Sequence, residues 1–140
     1  MKLFIDTWGW LSLRDRREMR HEEAKNFYYS FRRQSGKVFT TDYVLDETFT
    51  LIFKRLPLLQ AHESLVMLDE AIKEGYLWLE WITPERFEQA KRLRIKFQDK
   101  PRISFTDLTS IVVMNELGIT DILTEDAHFT QVGIGVRIIP

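Results

Sequence analysis

Four acidic residues, Asp6, Glu47, Asp107 and Asp126, occupy positions from which an α/β chain can do chemistry. Asp6 closes the apolar run Lys2–Asp6 (KLFID), which reads as a buried strand, and Asp126 follows another short strand at Asp121–Thr124. In open α/β sheets, ligands bind beyond the carboxyl ends of the strands, near the point where strand order reverses. Asp107 lies in the first turn of a helix that opens over Ser104-Phe105-Thr106-Asp107 and stops at Gly118. Glu47 falls three residues after Val44 and four before Leu51, so it projects from the apolar face of its helix. A carboxylate there is costly unless it is paired or binds a metal. Its neighbour Asp46 points about 100° away, toward solvent.

Each acid has an ordinary explanation as well. Asp6 and Asp126 can cap the turns that follow them, Asp107 can favour a helix N-terminus by its charge, and Glu47 can pair with a buried arginine. Together, however, four carboxylates gathered in one cleft repel each other and need a cation. Oxygen-only ligation suits magnesium or manganese rather than zinc. The chain has no cysteine, and His21, His62 and His128 are too widely spaced to form a ligand pair. Magnesium held by carboxylates activates water and stabilises charge on a phosphoryl group, which points to phosphodiester hydrolysis. His128, close to Asp126 in sequence, reads as a capping or packing residue.

The elements that must position these residues alternate along the chain. Strands are expected at Lys2–Asp6, Val38–Thr41, Tyr76–Ile82, Asp121–Thr124 and Val136–Ile139. A helical turn is expected at Thr7–Leu13, weakened by Gly9, followed by helices at His21–Arg33, Tyr43–Arg55 with Asp42 as N-cap, Leu58–Lys73 and Pro84–Phe97. After Ser104, Leu108, Ile111, Val112, Met114 and Leu117 recur at three- and four-residue steps and predict a helix with one buried face. This is the pattern of a parallel sheet covered by helices on both faces. With no linker and no repeat, residues 1–140 are expected to form one domain.

A formal net charge of −1 argues against a uniformly basic nucleic-acid-binding surface, yet the cations are unevenly spread. They cluster at Arg14, Arg16, Arg17 and Arg20, at Arg32, Arg33 and Lys37, and over Lys91–Arg102, where six cations accompany one acid, Asp99. Such patches can guide a phosphate backbone, although a charge block alone is more often a solvated helix face. No apolar run approaches the roughly 18 residues of a membrane span. The start MKLFIDTWGW lacks the apolar stretch and cleavage site of a signal peptide, so the expected compartment is the cytoplasm. There is no GxxxxGK[ST] phosphate loop, and Trp8 stands where a DxDxT phosphatase needs its second aspartate. Gly133-Ile134-Gly135 reads as a turn, and Phe27, Tyr28, Tyr29 and Phe31 as core and dimer interface.

With these residues in place, the chain resembles PIN-domain ribonucleases and, in its small form, the VapC-type toxins of toxin–antitoxin pairs. The resemblance covers nearly the whole chain. It is carried by FIDTW with Asp6, DYVLDETFTLI with Glu47, SFTDLTS with Asp107 and LTEDAHF with Asp126, in that order and approximate spacing. It implies a PIN-like three-layer α/β/α fold with a central parallel sheet of four to five strands, magnesium or manganese ions, and endonucleolytic cleavage of RNA. It also implies a homodimer inhibited by a small VapB-like antitoxin whose C-terminal segment covers the active site. Carried over by residue, Asp6 and Asp107 are the principal metal ligands and Glu47 is the inner acid that orients metal or water. Asp126 is the more variable fourth acid, and Thr124 a supporting hydroxyl. Trp8 departs from the pattern, since relatives commonly have a small polar residue there. The alternative is a PIN-like module for RNA processing, or one that binds RNA or a protein without cutting. The presence of all four acids argues against it.

Overall fold

The apolar runs assemble as five strands, all parallel. The computed structural model describes residues 1–132 and 135–140. In it, β1 (Lys2–Ile5), β2 (Lys37–Thr41), β3 (Leu77–Glu80), β4 (Asp121–Leu123) and β5 (Arg137–Ile139) line up in the order β3-β2-β1-β4-β5. Each expected strand is present, with ends shifted by one or two residues. The turn expected at Gly133-Ile134-Gly135 includes residues 133 and 134, which lie outside the described residues. Leu3, Phe4 and Ile5 are fully buried, because β1 is the central strand and is covered on both faces.

The helices α1 (Thr7–Arg14), α2 (His21–Arg33), α3 (Asp42–Arg55) and α4 (Leu58–Lys73) connect the first three strands. α5 (Pro84–Lys96) and α6 (Phe105–Leu117) carry the chain from β3 back past β1 to β4, and α7 (Phe129–Val132) leads to β5. Right-handed crossovers place α1 to α4 on one face of the sheet and α5 and α6 on the other. The packing pairs agree: α1 meets α2 and α3, α3 meets α4, and α5 meets α6. Strand order therefore reverses between β1 and β4. α3 also touches α6, which brings the helix of Glu47 to that of Asp107.

Two local expectations are corrected. The N-cap of α3 is Thr41, whose hydroxyl accepts from the Val44 amide at 3.1 Å. Asp42 is instead the first helical residue, and its carboxylate accepts from the Ile82 amide at 2.7 Å, tying the end of β3 to the start of α3. α6 is buried on all sides from Leu108 to Met114, rather than on one face. It packs against α5 and α3, and the apolar periodicity marked only its largest side chains. Thr109 is accommodated there by donating to the Thr106 carbonyl at 2.6 Å. On α2, Phe31 is buried, Phe27 and Tyr28 pack against the core, and Tyr29 is exposed.

Gly9 weakens α1 on propensity, but packing requires it. A Cβ at this position would lie 2.1 Å from the Leu123 carbonyl oxygen and 2.8 Å from Ile5 Cγ2. α1 therefore rests directly on the ends of β1 and β4. Because the nearest obstacle is backbone, Gly9→Ala is expected to push α1 off the sheet and cost about 3 kcal/mol of stability. Thermal unfolding reads this as a lower midpoint, and an unchanged midpoint would be incompatible with so close an approach.

Candidate active site

β1 delivers Asp6 to the carboxyl edge of the sheet, beside the end of β4. The end of β1 is braced by Trp10, whose indole donates to Thr40 Oγ1 at 3.2 Å, and by Thr40, which donates to the Ile5 carbonyl at 3.0 Å. Asp6 caps α1 by accepting from the Gly9 amide at 2.9 Å through Oδ1. Its Oδ2 accepts from Thr124 Oγ1 at 2.7 Å, and the same hydroxyl accepts from the Asp126 amide at 2.9 Å. One threonine thus fixes two of the acids. Asp126 in turn accepts from the His128 amide at 2.9 Å and lies 2.9 Å from His128 Nδ1.

Asp107 is held by a reciprocal cap on α6. Its amide donates to Ser104 Oγ at 3.0 Å, and its carboxylate accepts from the Ser104 amide at 3.2 Å. The ordinary explanations for Asp6 and Asp107 therefore hold, and they coexist with the cluster. Glu47 is half-buried, whereas Asp46 is exposed. Among the described residues, Glu47 makes no ion pair with an arginine, and Asp126 pairs only with His128.

The electrostatics bring the four acids into one group. Asp6 is 2% exposed, and removal from water pushes its carboxyl from 3.8 up to about 8. Hydrogen bonds from Thr124 and Gly9 oppose the rise, while the charges of Asp107 and Asp126 add to it. Burial likewise raises Asp107 to about 6, against the Ser104 hydrogen bonds, with Asp126 and Glu47 adding repulsion. Asp107 and Asp126 thus act on Asp6, and Asp126 and Glu47 on Asp107.

An uncompensated, oxygen-only donor set of this kind fits a hard divalent cation. No three His, Cys, Asp or Glu side chains among the described residues stand ready-made around a single point. Several carboxylate oxygens are engaged instead with Gly9, Ser104, Thr124 and His128. Ser104 is the part of the site not anticipated from sequence, although its three-residue spacing to Asp107 is a capping-box signal. Glu125, adjacent to Asp126, is occupied by Ser12 at 3.0 Å.

The basic runs are mostly engaged internally. Arg94 donates to the carbonyls of Phe97, Lys100 and Ile103 and so shapes the loop that leads into Ser104. Arg17 and Arg20 pair with Asp15 and Glu23, and Lys91 with Glu88.

A parallel sheet with an acid group at its switch point, one member buried and three half-buried, is the arrangement of the PIN-domain class. The chain is 30% identical over 131 residues, 94% of each chain, to the 23S rRNA-specific endonuclease VapC20 of two Mycobacterium tuberculosis strains. The crystal structure of Mycobacterium tuberculosis VapC20, a sarcin–ricin loop cleaving toxin, superposes with a TM-score of 0.80 at 29% identity, covering 96% of this chain and 98% of that one. VapBC2 from Rickettsia felis, bound to a promoter DNA fragment, shares the fold at a TM-score of 0.73 and 14% identity, over 99% and 97% of the two chains. No family model matches the chain. The chain belongs to the VapC family of PIN-domain toxins.

Proposed function

We propose that this protein is a metal-dependent endoribonuclease, a VapC-type toxin that hydrolyses phosphodiester bonds in RNA. The observation that carries the reading is the acid cluster: Asp6 is buried and Asp107 half-buried, with carboxyls pushed up to about 8 and about 6, and repulsion from neighbouring acids contributes. Burying such a group is unfavourable unless function uses it. Asp6 and Asp107 would hold a magnesium or manganese ion, with Glu47 and Asp126 completing the set. The ion, when bound, supplies an activated water and stabilises charge on the phosphoryl group. The chain's own contribution is positional: Thr124 orients Asp6 and Asp126 together, and Ser104 fixes Asp107 at the start of α6. Residues 1–140 act as one PIN domain, in the cytoplasm and as a homodimer. Because VapC20 cleaves 23S rRNA, ribosomal RNA is the substrate to test first.

The partner in this reading is a VapB-like antitoxin. A groove of about 320 Å³ between α1, α2 and α4, which includes none of the four acids, suits a part of that partner other than the segment over the active site. Its floor carries Trp10, Leu13 and Leu68, and its rim carries Arg14, Arg16 and Lys25. An extended or helical peptide with apolar anchors and acidic flanks complements both.

Asp107→Asn tests the catalytic reading. Asparagine can keep the cap with Ser104, so the fold persists while the charge is lost. Cleavage of 23S rRNA in magnesium is expected to fall about 100-fold or more, equivalent to losing several kcal/mol of transition-state stabilisation. A folded variant that cuts as fast as the parent would remove Asp107 from the site.

A further inference from the structure

Trp8 is the residue that departs from the family pattern, and the acid cluster leaves it unexplained. It lies on the first turn of α1, two residues after Asp6, and is half-buried. With Leu51 it packs against a small second core of Leu11, Ile52, Leu56 and Ala61. The Arg55 guanidinium covers its indole, 5.3 Å from the ring centroid. Leu51 and Arg55 follow Glu47 on α3 by four and eight residues, about one and two helical turns. Trp8 is thereby linked to Asp6 through the first turn of α1 and to Glu47 through two turns of α3.

Arg55 is engaged by several neighbours. Trp8 lies beneath it, its Nη1 donates to Glu18 at 3.0 Å, and Arg17 donates to its backbone carbonyl at 2.9 Å. The side chain nevertheless remains 33% exposed. Glu18 largely neutralises the guanidinium and sets a carboxylate beside it, so an approaching phosphate would meet repulsion. An uncharged ring would not. Guanidinium planes and aromatic rings are the surfaces on which unpaired RNA bases stack.

The geometry points to the Trp8–Arg55 pair as a base-binding position, where an unpaired base of the bound RNA strand lies on the exposed side of Arg55. This rests on the ribonuclease reading above and adds a positioning role to it. The stack would orient the strand across the acids without contributing a charge to the reaction. It would also favour looped or single-stranded RNA over duplex, because only an unpaired base can leave its own stack.

The test uses the sarcin–ricin RNA hairpin and the same hairpin with abasic loop nucleotides, titrated in EDTA so that binding is read without cutting. The parent is expected to bind the intact hairpin about 5- to 100-fold more tightly than the abasic one. Arg55→Lys, which keeps the charge but loses the plane, is expected to bind both with the parent's abasic affinity. Trp8→Leu is expected to behave in the same way. The inference is overturned if Arg55→Lys keeps the parent's preference, since charge alone would then suffice. It is also overturned if the variants weaken both hairpins equally, or if the parent binds both alike. A parent that shows the preference yet cuts no RNA in magnesium would sink the ribonuclease reading and leave the base-binding stack standing. A parent that cuts without the preference would do the reverse.

Discussion

Asp6→Asn is expected to abolish RNA cleavage and, at alkaline pH without metal, to make the protein more stable. The two effects share a cause. Asp6 is buried with its carboxyl raised from 3.8 to about 8, so the folded state holds a proton that the unfolded chain releases near pH 4. Stability from this group is fully present below about pH 4 and is lost as pH rises through about 8. Above that, the fold carries a desolvated charge that costs on the order of 6 kcal/mol. Asparagine keeps an acceptor for Gly9 and a partner for Thr124 without carrying the charge. Denaturant unfolding in EDTA at pH 5 and pH 9 reads the difference: a small advantage for the variant at the lower pH, where the unfolded aspartate is already ionised, and a much larger one at the higher. A variant less stable than the parent at pH 9 would mean that the carboxylate is compensated by something other than a metal.

The second large effect belongs to the ion. A ligand that binds only the folded state stabilises it by about 2.7 kcal/mol at 100 times its dissociation constant. For a chain of this size that raises the unfolding midpoint by about 10 °C. Protons compete for the same oxygens, so manganese or magnesium is expected to stabilise the protein more at pH 8 than at pH 6, where Asp6 is protonated and Asp107 is near its midpoint. The double variant Asp6→Ala/Asp107→Ala is expected to show no metal response at either pH. Equal stabilisation of parent and double variant would locate the binding elsewhere.

Much of this arrangement was legible in the sequence because it depends on local signals. The strand runs, the Gly118 stop and Pro84 at the start of α5 are read from neighbouring residues alone, and the structure agrees with each. The half-buried placement of Glu47 was legible because an acid among Val44, Leu51 and Ile52 contradicts its surroundings. What escaped reading depends on distant segments meeting. The need for glycine at residue 9 comes from a carbonyl at residue 123. The role of Asp42 is set by the Ile82 amide across a crossover, and that of Trp8 by Arg55 two turns down α3. The shifted acidity of Asp6 depends on burial that β4 completes, which no spacing within the first strand encodes.

The hydrogen bond from Thr124 to Asp6 joins residues 118 positions apart, and it has a consequence in time as well as space. β1 is made first but becomes central only when β4 pairs with it. A chain that ends before Asp121 has neither that partner nor Thr124 and Asp126, so its Asp6 would face water and titrate as an ordinary aspartate. The acid group around Asp6 is thus among the last things the polypeptide completes. In a growing or truncated chain Asp6 would keep an ordinary acidity, and acquisition of its anomalous proton affinity would mark the moment the sheet closes around it.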